Sequence, residues 1–272
     1  MSSTSVKGPA GSLHVDDDGA GGVPVVFVHS FAGSTRHWSA QLAHLRGTRR
    51  ALALDLRGHG KSAPPANNDY AVDSLAKDIG AMVDAKGLER FVLVGHSLGG
   101  AAGVAYAGAH PDRVAGLLVV ATPGGLPPDQ AQQIMTSMEA DYEKVTSQFW
   151  NRLLTGARPE VLASVKSEMN SVPREAALSI IRATFAYDPV PALQRYPGPK
   201  LAITTPQADA PHELHKLVPD VSHEVITDTS HWPHMDRPEE FNRLLDGFIT
   251  TVESVWPRPV NPVDMLSAKG AP

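Results

Sequence analysis

Ser97 stands in Gly95-His96-Ser97-Leu98-Gly99, directly after the apolar run Phe91-Val92-Leu93-Val94 and directly before an alanine-rich stretch from Gly100 to His110. The run reads as a buried strand and the stretch as a helix, so the serine falls at a strand-to-helix turn. In that context G-x-S-x-G is a nucleophile elbow. The serine backbone is strained, and a Cβ at Gly95 or Gly99 would crowd the adjoining strand and helix. The same letters also occur by chance in plain Gly-Ser turns; the strand before and the helix after distinguish this occurrence. The chemistry on offer is attack by a hydroxyl held up at a strand end.

A hydroxyl is a poor nucleophile until a base removes its proton. The elbow therefore requires a histidine and an orienting carboxylate, in the chain order Ser, Asp or Glu, His. Downstream, Thr227-Asp228-Thr229-Ser230-His231-Trp232-Pro233-His234-Met235-Asp236-Arg237-Pro238 forms a loop that runs into an amphipathic helix. On these residues the chain resembles the α/β-hydrolase fold family, of the capped, esterase-like serine hydrolase kind, from about Val23 to about Val255. The resemblance implies an α/β fold with a mostly parallel central sheet covered by helices on both faces and a helical cap insertion. In that family the histidine lies in the loop after the last strand, which assigns the role of base to His231 ahead of its neighbour His234. For either one, a structural histidine satisfied by backbone is the plainer alternative.

The resemblance also implies an acid in the loop after the seventh strand, here Lys200-Leu201-Ala202-Ile203-Thr204-Thr205, as a glycine followed by an aspartate three positions on. This chain reads Thr205-Pro206-Gln207-Ala208-Asp209, so the glycine is missing and the acid comes one residue late. The family's other position, the end of the sixth strand at Val120-Ala121-Thr122, holds no acid. Asp209 is accordingly expected to orient the imidazole. Its plainer role is a helix N-cap, since Ala210-Pro211-His212-Glu213 reads as a helix start. Asp228, in the same loop as His231, is the second candidate.

The oxyanion formed when a serine attacks a carbonyl needs two donors. Each contributes about 3–4 kcal/mol, being aimed in advance at charge that appears only in the transition state. The backbone N–H of Leu98, at the positive end of its helix, is one. By the resemblance the other is that of Phe31, in His29-Ser30-Phe31-Ala32-Gly33-Ser34 after the strand Val25-Val26-Phe27-Val28. This loop is similar to the family's His-Gly-x motif, with Ser30 in place of glycine, which brings a hydroxyl near the site. His29 reads as a buried histidine that braces loops.

Asp55-Leu56-Arg57-Gly58-His59-Gly60-Lys61-Ser62 ends in the Gly-Lys-Ser of a phosphate loop, but Asp55 stands where that motif needs its first glycine. In the resembling family a D-x-R-G-x-G-x-S segment shapes the rim beside the site. No H-E-x-x-H or comparable cluster occurs, so neither metal nor cofactor is expected. Of the 272 residues 42% are hydrophobic, none is cysteine, and the net charge is −5. That content can bury one substantial core. The mild charge gives no reason to expect nucleic acid, and no basic block marks a membrane surface. Zero cysteine excludes disulfides and a thiol nucleophile. With no apolar leader and no run that could span a bilayer, a cytoplasmic enzyme is expected, its oligomeric state left open.

Strands are expected at about 24–29, 51–55, 91–95, 115–121, 200–205 and 222–227, after a hairpin around 13–22 in which Asp16-Asp17-Asp18-Gly19 is a turn. Helices are expected at about 35–46, 71–86, 98–109, 210–218 and 238–254. The division is a core of 1–124 and 188–256, an all-helical cap of 125–187, and a tail of 257–272. Met135, Met138, Trp150 and Phe185 of the cap, with Ser30 and Trp232, are expected to contribute to an apolar pocket. The plainer reading packs most of the cap residues against each other. The expected partner is a small uncharged, apolar carboxylic ester or lactone. The same constellation serves a lactonase, a perhydrolase or a carbon-carbon bond hydrolase, and the irregular acid loop keeps a non-enzymatic ligand receptor of this fold in view. Epoxide hydrolases and haloalkane dehalogenases of the family use an aspartate where this chain has Ser97.

Overall fold

The structure, a computed structural model, describes residues 2–206 and 213–255. Its strands are β1 (Ser2–Gly8), β2 (Gly11–Asp18), β3 (Val25–Val28), β4 (Ala51–Leu54), β5 (Phe91–His96), β6 (Val114–Val120), β7 (Lys200–Thr204) and β8 (Ser222–Val225). They form one sheet in the order β1-β2-β4-β3-β5-β6-β7-β8. The β1–β2 and β2–β4 pairs are antiparallel and the other neighbours are parallel. β3, β5 and β6 are buried along their whole length. Enclosure on both faces is why they read as unbroken apolar runs.

The helices are α1 (Ser39–Leu45), α2 (Val72–Ala85), α3 (Leu98–Ala109), α4 (Pro128–Ala140), α5 (Tyr142–Leu153), α6 (Pro159–Glu168), α7 (Arg174–Ala186), α8 (Val190–Arg195), α9 (Leu214–Leu217), α10 (Pro233–Asp236) and α11 (Pro238–Val255). α2, α3 and α8 cover one face of the sheet. α1 and α11 close the other over Phe27, Trp38, Val92 and Val94, to which α11 contributes Phe241 and Phe248. α4 to α7 follow one another between β6 and β7. No helix among the described residues is long and apolar enough to cross a membrane.

The N-terminal hairpin differs from the sequence expectation. Its strands are β1 and β2, joined at Pro9-Ala10, and Asp16-Asp17-Asp18 lie inside β2. Cations from neighbouring segments override the weak strand propensity of aspartate: Arg46 pairs with Asp16 at 2.8 Å, and Arg50 and Lys86 with Asp17 at 2.9 and 3.3 Å. The expected helix at 210–218 is observed from Leu214 on. Its first residues, 210–212, and the tail 257–272 lie outside the described residues.

From β3 the chain goes to β4 on one side and then crosses to β5 on the other. The loops that follow β3 and β5 therefore diverge around a crevice at the carboxyl ends of these two strands. In open parallel sheets such a switch point is where ligands bind.

Candidate active site

Ser97 occupies the turn between β5 and α3 with φ 50° and ψ −111°. Its N–H donates to the carbonyl of Val120 at 2.9 Å, and its carbonyl accepts from Ala101 at 3.0 Å, so the strained turn is fastened at both ends. A Cβ on Gly95 would collide with the backbone of Gly99 and Gly100, and one on Gly99 with the carbonyl oxygens of Val28 and His29. The glycines thus let the start of α3 settle against the loop after β3. Four of the five non-glycine residues with positive φ among the described residues, Ala32, Ser97, Ala121 and Asp228, lie just beyond β3, β5, β6 and β8. Backbone strain is gathered along the edge of the sheet that carries the site.

The backbone N–H groups of Phe31 and Leu98 donate to no described residue. His29 sets the shape of the first loop: its Nδ1–H donates to the carbonyl of Ser30 at 2.7 Å, and its Nε2 accepts from the N–H of Leu56 at 3.0 Å. That pattern fixes a neutral ring, and burial holds its pKa down. The Ser30 hydroxyl turns back to the carbonyl of Phe31 at 3.4 Å. Buried Asp55 accepts the N–H groups of Thr35 and Lys61 at 2.6 and 2.9 Å, which ties the start of the 55–62 segment to the same loop.

His231 is partly exposed. Burial pushes its imidazole down to about 4. Its ring makes no hydrogen bond to a described residue, Ser97 included; such bonds are commonly long before substrate binds. Its backbone, by contrast, is held on both sides. The N–H donates to the carbonyl of Leu153 at 2.9 Å, and the carbonyl accepts from Nε2–H of His96 at 2.8 Å. Fully buried Asp236 accepts the N–H and hydroxyl of Ser230 at 2.8 and 2.5 Å and the backbone N–H of Arg158 at 2.8 Å.

The neighbouring His234 is enclosed, stacked on Trp38 with ring centroids 4.1 Å apart, and burial keeps it neutral. Asp228 does not face His231: its side chain is 82% exposed and lies 3.9 Å from Arg237. Asp209 lies outside the described residues. Sequence reasoning missed His96, Asp236 and the Leu153 carbonyl. The second position of the elbow was the available signal for His96; the carboxylate of Asp236 meets partners that local pattern does not reveal, and the Leu153 carbonyl is a backbone tie that residue type does not encode.

The expected pocket residues divide between locations. Met135 and Met138 pack together in the insertion with Ile181 and, at the edge, Phe31 and Phe185. Met135 and Phe185 also line a cavity of about 810 Å³ between α4 and α7. Trp150 of α5 lies between Phe31 (5.7 Å) and Trp232 (6.2 Å), stacked on both. Phe31 and Trp150 line a second cavity of about 570 Å³, where Lys166 and Arg174 meet Tyr142, Glu143 and Met169. Lys166 of α6 and Arg174 of α7 reach this cavity from segments remote in the chain from Phe31.

A family model described as the alpha/beta hydrolase fold matches residues 23–173. The chain is 40% identical over 106 residues to the dihydrolipoyllysine-residue acetyltransferase component of the acetoin cleaving system of Pseudomonas putida, across 39% of this chain and 28% of that protein. The chain thus spans less than a third of that relative's length. It is 26% identical over 265 residues to epoxide hydrolase 3 of Xenopus tropicalis, across 83% of this chain and 71% of that protein. The solved structure of Est816, an N-acyl homoserine lactone degrading enzyme, is similar with a TM-score of 0.78 and 28% identity, across 90% of this chain and 100% of that one.

Proposed function

Because the chain belongs to the α/β-hydrolase fold family, we propose that it is a serine hydrolase that cleaves a carboxylic ester through an acyl-enzyme intermediate. Ser97 Oγ attacks the carbonyl carbon while His231 takes its proton, and the resulting oxyanion is held by the N–H groups of Phe31 and Leu98. The tetrahedral adduct collapses as His231 returns the proton to the leaving alcohol. A water molecule, deprotonated by the same imidazole, then releases the acid and restores the serine. Asp209 is the residue we assign to orienting the imidazole.

The observation that carries this reading is the positive-φ Ser97 at the switch point of the sheet, with the N–H of the next residue, Leu98, and that of Phe31 in the loop after β3 both without a described acceptor. The likeness to an epoxide hydrolase concerns a reaction for which the family uses an aspartate nucleophile, and the elbow here carries serine. The insertion of 125–187 serves as the cap, its Trp150 meeting both the oxyanion loop and the histidine loop. A lactone is an internal ester, and the similarity to Est816 favours testing that second reading alongside.

A panel of chromogenic esters of varied acyl length, with lactones included, tests the proposal. Expected are a burst of alcohol matching the enzyme concentration, followed by turnover, and labelling of Ser97 by a fluorophosphonate. Absence of burst, turnover and labelling overturns it in favour of a ligand receptor.

A further inference from the structure

His96 is the last residue of β5, directly before Ser97, and is fully buried. Its ring packs against His231 and His234, both with centroids 4.8 Å away, and against Trp232 at 5.8 Å. Nε2 lies 2.8 Å from the carbonyl oxygen of His231. A carbonyl oxygen only accepts, so Nε2 carries the proton and the tautomer is fixed. The other nitrogen, Nδ1, is buried with no hydrogen-bond partner. Burying an orphaned ring nitrogen is unfavourable, and an apolar side chain of similar size would fill the space without it. Packing alone therefore does not explain a histidine here.

The geometry accounts for it. Ser97 is bonded to His96 and pinned through its N–H to Val120, so the ring of His96 is rigidly placed relative to the nucleophile. The same ring grips the backbone of His231, although the two side chains of the proposed reaction share no direct hydrogen bond. We infer that His96 is a positioning residue, its Nε2–H bond to the His231 carbonyl setting the distance and angle at which the imidazole meets Ser97 Oγ. This rests on the serine hydrolase reading above.

Three substitutions separate the donor from the bulk. His96→Gln keeps an N–H at about the reach of Nε2, His96→Asn keeps one that is too short, and His96→Met fills the space with no donor. Steady-state kinetics on one ester and thermal melting are measured on each. The expected result is a kcat near wild type for Gln and about 100-fold lower for Asn and Met, with KM little changed, because an ångström of misplacement costs about that much. A folded Met variant with wild-type kcat overturns the inference, as does a Gln variant that loses as much as Met. In ¹⁵N-labelled wild type, His96 should show the Nε2–H tautomer with a slowly exchanging proton, a readout independent of whether the variants fold; the Nδ1–H tautomer overturns the inference. Wild type that neither turns over esters nor labels at Ser97 overturns the serine hydrolase reading instead, while the tautomer still reports the bond itself.

Discussion

The backbone N–H of His231 donates to the carbonyl oxygen of Leu153 at 2.9 Å. Leu153 is the last residue of α5, so its carbonyl is one of those a helix end leaves without an internal partner, and the histidine loop supplies the missing donor. A tie beside it joins the Arg158 N–H to Asp236, and a Cβ on Gly156 would press on the carbonyl of Thr229. The end of α5 and the histidine loop therefore behave as one unit, and the insertion is part of what holds the imidazole in place.

Asp236→Ala removes the acceptor for three donors in that unit, the N–H and hydroxyl of Ser230 and the N–H of Arg158. The expected loss of stability is about 2–4 kcal/mol, since each buried donor left unsatisfied costs about 1–3 kcal/mol before water relieves some of it. In the folded fraction kcat should fall while KM stays near wild type. Urea denaturation with steady-state kinetics checks both, and an unchanged kcat would show that the loop keeps its place without Asp236.

Ser97→Ala should abolish ester turnover by several orders of magnitude with melting unchanged, and His231→Ala should match it, because the two act as a unit and their losses do not add. His234→Ala should do the reverse. It empties the space beside Trp38, destabilising the fold by about 2–4 kcal/mol, while folded enzyme keeps its kcat. A His234 variant that melts normally but is inactive would move the base to that residue.

His231 accepts a proton only when neutral, so kcat/KM falls tenfold per unit below its pKa. Burial alone brings that pKa to about 4. A carboxylate on Nδ1 favours the charged ring and moves the pKa up. If Asp209 plays that part, the acid limb of wild type lies above 4 and Asp209→Asn shifts it down, with a loss in kcat on the order of 10⁴ as the wrong tautomer is populated. Asp228→Asn should leave limb and rate alone. The pH profiles of the three proteins on one ester decide, and a shift confined to the Asp228 variant would reassign the acid.

Five fully buried histidines hold the fold's acid sensitivity, and burial holds His29 below its ordinary value. Burial pushes His37 and His59 down to about 3, and His96 and His234 well below the ordinary value. In the unfolded chain they titrate near about 6.5, so below that pH the unfolded state binds protons that the native state refuses. Stability should be level above pH 7 and fall as pH drops through 6 and 5, by up to about 1.4 kcal/mol per unit for each group. Asp78, whose buried carboxyl is pushed up, opposes this as a single group. A urea midpoint equal at pH 7 and pH 5 would refute the prediction.

The sequence by itself determined most of the elements and the strand-to-helix turn that carries Ser97. Buried parallel strands need continuous apolar runs, and the elbow needs glycines at fixed offsets, so β3, β5, β6, α3 and the position of Ser97 follow from local pattern. The aspartate run of β2 shows the limit of such reasoning, because its strand state depends on Arg46, Arg50 and Lys86 arriving from elsewhere. The same holds for the site. That His231 stays partly exposed while His234 is enclosed, that His96 and Leu153 hold the His231 backbone, and that Trp150 stacks between Phe31 and Trp232 were decided only by tertiary structure. Those contacts join segments separated by tens of residues to more than a hundred, and no periodicity or propensity records which chain end or ring will meet across such a distance.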